Sequence, residues 1–266
     1  MLRIKERKWV ATGSPTSRLQ FELELPVRYL LVDGKRAYIL GMGCQTCQFL
    51  FERLAGANQV VEIEKTAETL RLGINTLDEA VVDVIGRGMP QGEYYAMLIE
   101  ASVTQVRPGD EKDYFTHEQV AVWGQDTFWC LPHDPRVPYY RAGDQCLGSG
   151  RRLFNFIVPM FPAKWLAMST VSQYMEALRT KASGTAVSIG VLDVRSPIAW
   201  GAQKQDPVEH WCLTHYLLDG HHKLNAASES GKPLRLLSFV ALSHGVSTRE
   251  QIEEAARALS VPADPT

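Results

Sequence analysis

Two apolar runs near the carboxyl end of the chain flank a short polar stretch. The first run covers residues 211–218 and the second covers residues 234–242. Each has the length of a buried strand. Between them lie the turn residues 219–223, a helix-like segment over residues 224–230, and Gly231, which is suited to end a helix. The pattern predicts a strand, a tight turn, a helix and a return strand.

The rest of the chain alternates between strand-like and helix-like patterns. Asp33-Gly34 between apolar residues 29–32 and 37–40 predicts a β-hairpin. Residues 94–106 predict a further strand. Helices are predicted over about residues 47–54, ended by Gly56, and over about residues 170–181. Two capping boxes, residues 76–79 and 247–250, each open another helix. In the terminal helix the inward positions are Ile252, Ala255, Ala256 and Leu259.

These elements predict an α+β fold with mixed sheets and short helices. Residues 110–162 form an irregular segment rich in aromatic residues, which should be ordered because so many rings would not stay solvated. We expect an amino-terminal α+β region over residues 1–183. The strand-turn-helix-strand unit belongs to a second region, residues 184–266.

Candidate chemistry concentrates in Asp219-Gly220-His221-His222-Lys223. The pattern places two imidazoles and an ammonium at the start of a helix. Backbone N–H groups at that end are unpaired and carry partial positive charge, so the position favours an anion, most often a phosphate. The structural alternative is a buried turn in which Asp219 and His221 only satisfy backbone groups.

This stretch resembles the ParB/sulfiredoxin superfamily over roughly residues 185–245. The resemblance rests on the aliphatic strand that runs into the turn, on residues 225–227 and on the return strand, with Lys223 where arginine is usual. Activities in that superfamily include nucleotide hydrolysis, free-serine kinase activity, sulfinic-acid reduction and DNA partitioning. Sulfinic-acid reduction is not expected, because His221 stands where sulfiredoxins carry the catalytic cysteine. DNA partitioning is not expected either, because only about one helix follows the motif.

The resemblance implies a phosphate- or nucleotide-binding protein, and as an enzyme a nucleotide-dependent phosphotransferase or hydrolase. Gly220, His221, His222 and Lys223 would hold the phosphates, and Mg²⁺ would accompany the nucleotide. The catalytic candidates are Glu209, Asp219 and His221. Asp193 and Asp206 are further candidate bases, chosen like Glu209 for nearness in sequence.

A second function class is a non-enzymatic partner-binding or scaffold protein. Aromatic residues and arginine concentrate at protein interfaces, so Tyr139, Tyr140 and Arg141 are the candidate contact residues. In that case the turn would be structural and a protein partner would bind the aromatic segment.

A third class centres on Cys44-Gln45-Thr46-Cys47. The pair could be a reactive dithiol, two zinc ligands, or two buried small apolar side chains. We expect both thiols reduced and close together at a helix start. For zinc, the additional ligands would come from Cys130, His133 and Cys146. A second metal candidate is the histidine cluster His210, His215, His221 and His222, although His215 in its strand is better explained as a core residue.

The composition of the chain limits the classes of binding partner that we expect. The formal charge is −2 and no Lys/Arg block is present, so nucleic-acid binding is not expected. No apolar run reaches the roughly 18 residues of a membrane span, and no apolar stretch follows the charged start as in a secretory signal. Five cysteines are few for a disulfide scaffold, so we expect a cytoplasmic location.

Overall fold

Strands dominate the computed structural model, which describes residues 1–59, 67–128, 130–180, 184–197 and 208–260. In chain order the described strands are β1 (Leu2–Thr12), β2 (Leu19–Glu24), β3 (Val27–Val32), β4 (Lys35–Met42), β5 (Glu52–Arg53), β6 (Gly92–Ala101), β7 (Thr104–Val106), β8 (Tyr139–Gly148), β9 (Arg151–Pro159), β10 (Thr185–Arg195), β11 (Glu209–Asp219) and β12 (Leu234–Ala241). The described helices are α1 (Ala67–Leu72), α2 (Glu79–Gly86), α3 (Glu118–Trp123), α4 (Met168–Arg179), α5 (His221–Ser230) and α6 (Arg249–Ser260). The predicted α+β class is confirmed.

Eight strands form one mixed sheet, in the order β1-β6-β12-β10-β11-β9-β8-β7. Within it β10 is parallel to β12 and β11 is parallel to β9, whereas β10 and β11 are antiparallel. The carboxyl ends of β10 and β12 therefore lie at one end of the sheet, and those of β9 and β11 lie at the other. Strands β2 to β5 form a separate antiparallel sheet.

The large sheet has a core on each face, which explains why β10 is buried along its whole length. One face packs against the four-stranded sheet, α1 and α2 through residues such as Leu30, Tyr38, Leu70 and Ile85. The other face packs against α5 and α6. The inward positions predicted for α6 are all buried, as expected from their helical spacing.

The expected boundary at residue 183 does not separate two sheets. Strand β9 pairs with β11 and β6 pairs with β12, so the three strands that follow this position lie in the middle of one sheet, between strands that precede it. Pairing between strands distant in sequence is a tertiary property, which local composition does not encode.

The helix expected over residues 47–54 is absent. The described structure there is a loop that leads into β5 and a 3-10 helix at Ala55–Ala57. Phe49 and Phe51 are both fully buried, and their rings contact Phe115. Two buried residues that alternate with half-buried Leu50 indicate an extended chain, since a helix would place positions 49 and 51 on different faces.

Most aromatic residues of the segment lie in the core, although Phe128 is 80% exposed. Tyr139 and Tyr140 lie in β8 and are buried, and Arg141 forms an ion pair of 2.7 Å with Glu118. The expectation of an exposed contact surface at these three residues is therefore wrong. The Tyr139 ring packs against Phe156 of the same segment and against Phe51 from outside it.

The observed N-terminal caps of α2 and α6 differ in detail from the capping boxes that the sequence predicts. Helix α6 begins with reciprocal bonds between Thr248 and Gln251, one residue later than the predicted box. Asp78 caps α2 by accepting a hydrogen bond from the Ala80 N–H. No helix within the described ranges is long and apolar enough to span a membrane.

Candidate functional site

The predicted strand-turn-helix unit is present at the end of β11. Gly220 has a φ of +94°, and a Cβ at this position would lie 2.6 Å from the Ala186 Cβ, so the turn requires glycine. Helix α5 follows at once and ends at Gly231, which has a φ of +63°. Strand β12 then returns beside β10.

His221 is held inside the protein rather than exposed at the turn. Its Nε2 accepts a hydrogen bond of 3.0 Å from the Met160 N–H. Phe161 stacks on the imidazole at a centroid distance of 4.0 Å. Burial lowers the pKa of His221 to about 3, so the ring is neutral at pH 7. The cavity beside it has a volume of about 30 Å³, enough for about one water molecule.

The next two side chains of the turn also bond to the backbone. His222 Nε2 accepts a hydrogen bond of 3.0 Å from the Ala167 N–H. Lys223 is 7% exposed, and its ammonium donates to the Thr185 carbonyl at 2.8 Å and to the Leu70 carbonyl at 3.3 Å. Burial lowers the pKa of Lys223, which the Asp219 carboxylate at 3.5 Å partly offsets. Lys223 is buried at the helix start, because strand β10 and α1 close over it.

The backbone of the turn retains anion-binding capacity. The first helical bond runs from the Leu224 N–H to the Gly220 carbonyl. Among the described residues, no acceptor is found for the N–H groups of His221, His222 and Lys223. The helix start has no side-chain cap and no acidic residue in its first turn. Three donors and the positive end of the helix dipole therefore remain at this position.

The acidic candidates do not assemble around the turn. Glu209 lies at the opposite end of β11, ten residues and about 33 Å from Asp219 at about 3.3 Å per residue. It accepts a hydrogen bond from the Trp211 indole. Asp193 is fully buried opposite Cys212, about 23 Å along the strand from the turn. Asp206 lies outside the described residues. Of the described acids in this set, Asp219 alone is at the turn, because a strand separates it from Glu209, which is near it in sequence.

Asp193 belongs to a buried ion cluster that the sequence analysis missed. Its Oδ2 accepts from Arg28 and Arg195, each at 2.5 Å, and its Oδ1 accepts from the Val246 N–H at 2.8 Å. Burial by itself raises the pKa of Asp193, but the Arg195 and Arg28 guanidiniums outweigh it and hold that pKa below its usual range. The signal was present, since Asp193 and Arg195 alternate within an otherwise apolar strand.

The cysteine pair is close together, as expected, but the sulfurs are joined. Cys44 and Cys47 form a disulfide with a Cα–Cα distance of 5.7 Å, in a loop rather than at a helix start. The Cys44 carbonyl accepts from Arg195. The structure therefore favours neither reduced thiols nor two zinc ligands at this position.

Neither set of candidate metal ligands is assembled. His210 and His215 bond to different partners, Tyr114 and Ser238, each at 2.8 Å. His133 donates to the Phe51 carbonyl, and Cys130 and Cys146 are exposed free thiols. In the described parts of the chain, no group of three or more His, Cys, Asp or Glu side chains could hold a metal ion.

Comparison of the chain with protein-family models, with curated proteins and with solved structures finds no match.

Proposed function

We propose that the protein binds a phosphate-bearing small molecule at the amino terminus of α5, with a nucleotide and its Mg²⁺ as the foremost candidate. The observation that carries this proposal is the set of three backbone N–H groups, of His221, His222 and Lys223, without acceptors among the described residues. Such groups at a ten-residue helix start suit a phosphate, because the donors converge and the helix dipole favours negative charge.

The side chains take different roles from those that the sequence suggests. His221 and His222 fix the segment at residues 160–167 against the helix, so they position the site rather than contact the phosphate. Lys223 supplies positive charge from beneath the turn. The Asp219 side chain is 43% exposed and lies 3.5 Å from that ammonium, where it can ligate a Mg²⁺ ion that arrives with the nucleotide.

An enzymatic extension of the proposal is a phosphotransferase or hydrolase. Of the candidate bases, Asp219 is the one adjacent to the proposed phosphate. The His221 lone pair is already engaged by the Met160 N–H, so this ring is not free to act as a base. Glu209 cannot take part at its distance along β11.

Isothermal titration with ATP, with and without Mg²⁺, tests the proposal through Asp219→Asn. Removing this carboxylate should weaken binding in the presence of Mg²⁺ and strengthen it in the absence of Mg²⁺, since the charge then only repels phosphate. Each change should be about tenfold, because contacts to charged groups contribute about 1.5–3 kcal/mol.

Asp83→Asn is the matched control, because Asp83 is an exposed acid on α2 that pairs with Arg87. It should leave both affinities unchanged. If wild-type protein binds no ATP at about 1 mM, or Asp219→Asn changes both affinities in the same direction, the proposal is wrong.

A further inference from the structure

A cleft of about 860 Å³ opens at the other end of the large sheet, away from α5. One wall is formed by the four-stranded sheet, including Phe21, Leu23 and Arg28. The other wall is the loop at residues 243–248, between β12 and α6. Gly245 holds this loop against β10, since a Cβ there would lie 2.1 Å from the Leu192 carbonyl oxygen. The volume is typical of small-molecule binding sites.

Among the described residues, the floor of the cleft carries an excess of positive charge. Arg28 lines the cleft, is 8% exposed, and shares the single carboxylate of Asp193 with Arg195. Three of the five N–H groups of Arg28 are engaged, by the carbonyls of His244 and Leu40 and by Asp193. Its Nε–H has no partner among the described residues. A buried guanidinium with unused donors favours an anionic ligand.

The ionisable groups that line the cleft in the described part of the chain do not cancel this charge. The Glu22 carboxylate also lines the cleft, but it forms an ion pair of 2.7 Å with Arg36. His244 is neutral at pH 7, since burial and then Arg28 lower its pKa. Ser247 also lines the cleft, and its buried hydroxyl has no partner in the described part of the chain.

The rim is apolar. Leu23 and Leu25 are 61% and 82% exposed, and both line the cleft, so they place apolar surface next to each other at its mouth. Phe21 stacks on His244 at 3.9 Å and closes the space behind them. The cleft thus combines a cationic, hydrogen-bonding floor with an apolar mouth.

We infer that this cleft is a second binding site, which takes a small organic carboxylate with an apolar body. The carboxylate would bind beside Arg28 and Ser247, and the apolar body would cover Leu23 and Leu25. Association would satisfy the unused donors and remove the exposed leucines from water together. The site is distinct from the proposed phosphate site, which lies at the opposite end of the sheet.

Isothermal titration with three probes separates the two contributions. Octanoate carries both the charge and the apolar chain, octanamide lacks the charge, and acetate lacks the chain. Octanoate should bind about tenfold to a hundredfold more tightly than octanamide, and acetate should bind weakest. Equal affinity of octanoate and octanamide, or no octanoate binding at about 10 mM, would overturn the inference.

Variants locate the bound probe. Ser247→Asp introduces a negative charge at the floor and should weaken octanoate binding at least about tenfold. Ser247→Asn has nearly the same size without the charge and should retain most of the affinity. Leu23→Ser removes exposed apolar surface, so it should weaken the binding of octanoate and leave the melting temperature of the protein unchanged. Unchanged octanoate affinity in both Ser247→Asp and Leu23→Ser would place the probe elsewhere and refute the assignment.

Discussion

Replacing Asp193 by asparagine should destabilise the protein far more than the loss of one hydrogen bond. The variant keeps an oxygen that can accept from the Val246 N–H. It removes the charge that holds Arg28 and Arg195 together, and Arg195 is 0% exposed. Two guanidiniums would then face each other in the interior without a counter-charge.

The magnitude follows from that geometry. Removing one partner of a buried ion pair costs about 3–5 kcal/mol, because the remaining charge is left uncompensated in a medium of low polarity. We expect Asp193→Asn to fall in this range at pH 7. An exposed carboxylate gives the contrast, since Asp83→Asn on α2 should change the free energy of unfolding by less than about 0.5 kcal/mol.

Urea denaturation of single and double variants measures the effect. Arg28→Met alone leaves the Asp193–Arg195 pair intact. In the double variant, which combines Asp193→Asn with Arg28→Met, Arg195 is the one member of the cluster left with an uncompensated charge. The double variant should therefore be more stable than the sum of the two single losses implies, by at least about 1 kcal/mol.

The pH dependence supplies an independent check. The pKa of Asp193 is lower in the folded protein than in the unfolded chain, so its stabilisation is present above about pH 4 and is lost as the pH falls through the folded pKa. The difference in the free energy of unfolding between wild type and Asp193→Asn should therefore become smaller as the pH is lowered. The charge-compensation reasoning would be refuted if the losses of stability in Asp193→Asn and Arg28→Met simply added up in the double variant. It would also be refuted if Asp193→Asn cost less than about 1 kcal/mol at pH 7.

Two further predictions concern buried histidines and the thiols. Burial lowers the pKa of three imidazoles, to about 4 for His210 and to about 3 for His215 and His221, so the unfolded chain binds more protons than the folded protein below about pH 6.5. The free energy of unfolding should fall by about 4 kcal/mol per pH unit between about pH 6 and pH 4, and a flat urea-denaturation profile would contradict these pKa values. Alkylation of native protein followed by mass spectrometry should label Cys130 and Cys146, reach Cys212 only after unfolding, and reach Cys44 and Cys47 only after reduction. About one bound zinc per chain, lost in Cys44→Ser, would instead support a metal site.

Local patterns predicted the elements that depend on local chemistry. Glycine at 220 and 231 marks the two ends of α5, because both positions need positive φ. The inward face of α6 follows from helical spacing. The helix expected near Cys47 failed because burial of Phe49 and Phe51 in an aromatic cluster outweighed helix-like composition.

The side-chain environments could not be predicted in the same way. Lys223 donates hydrogen bonds to the carbonyls of Leu70 and Thr185, and His221 accepts one from the Met160 N–H. All three partners are distant in sequence from the residue that they contact. Arg28 and Asp193 are separated by 165 positions. Which charges meet depends on how strands pair, and a single sequence carries no direct record of that pairing.

The two outer strands of the large sheet have a consequence for how copies of the protein meet. A sheet edge offers unpaired N–H and C=O groups that can template the strand of another molecule. Strand β7 covers only Thr104–Val106, which gives little backbone to extend. Strand β1 is long, but Arg3, Lys5, Arg7 and Lys8 project from it into solvent. A second copy that added its own β1 would bring like charges side by side, so this edge resists the edge-to-edge aggregation that an eight-stranded sheet would otherwise invite.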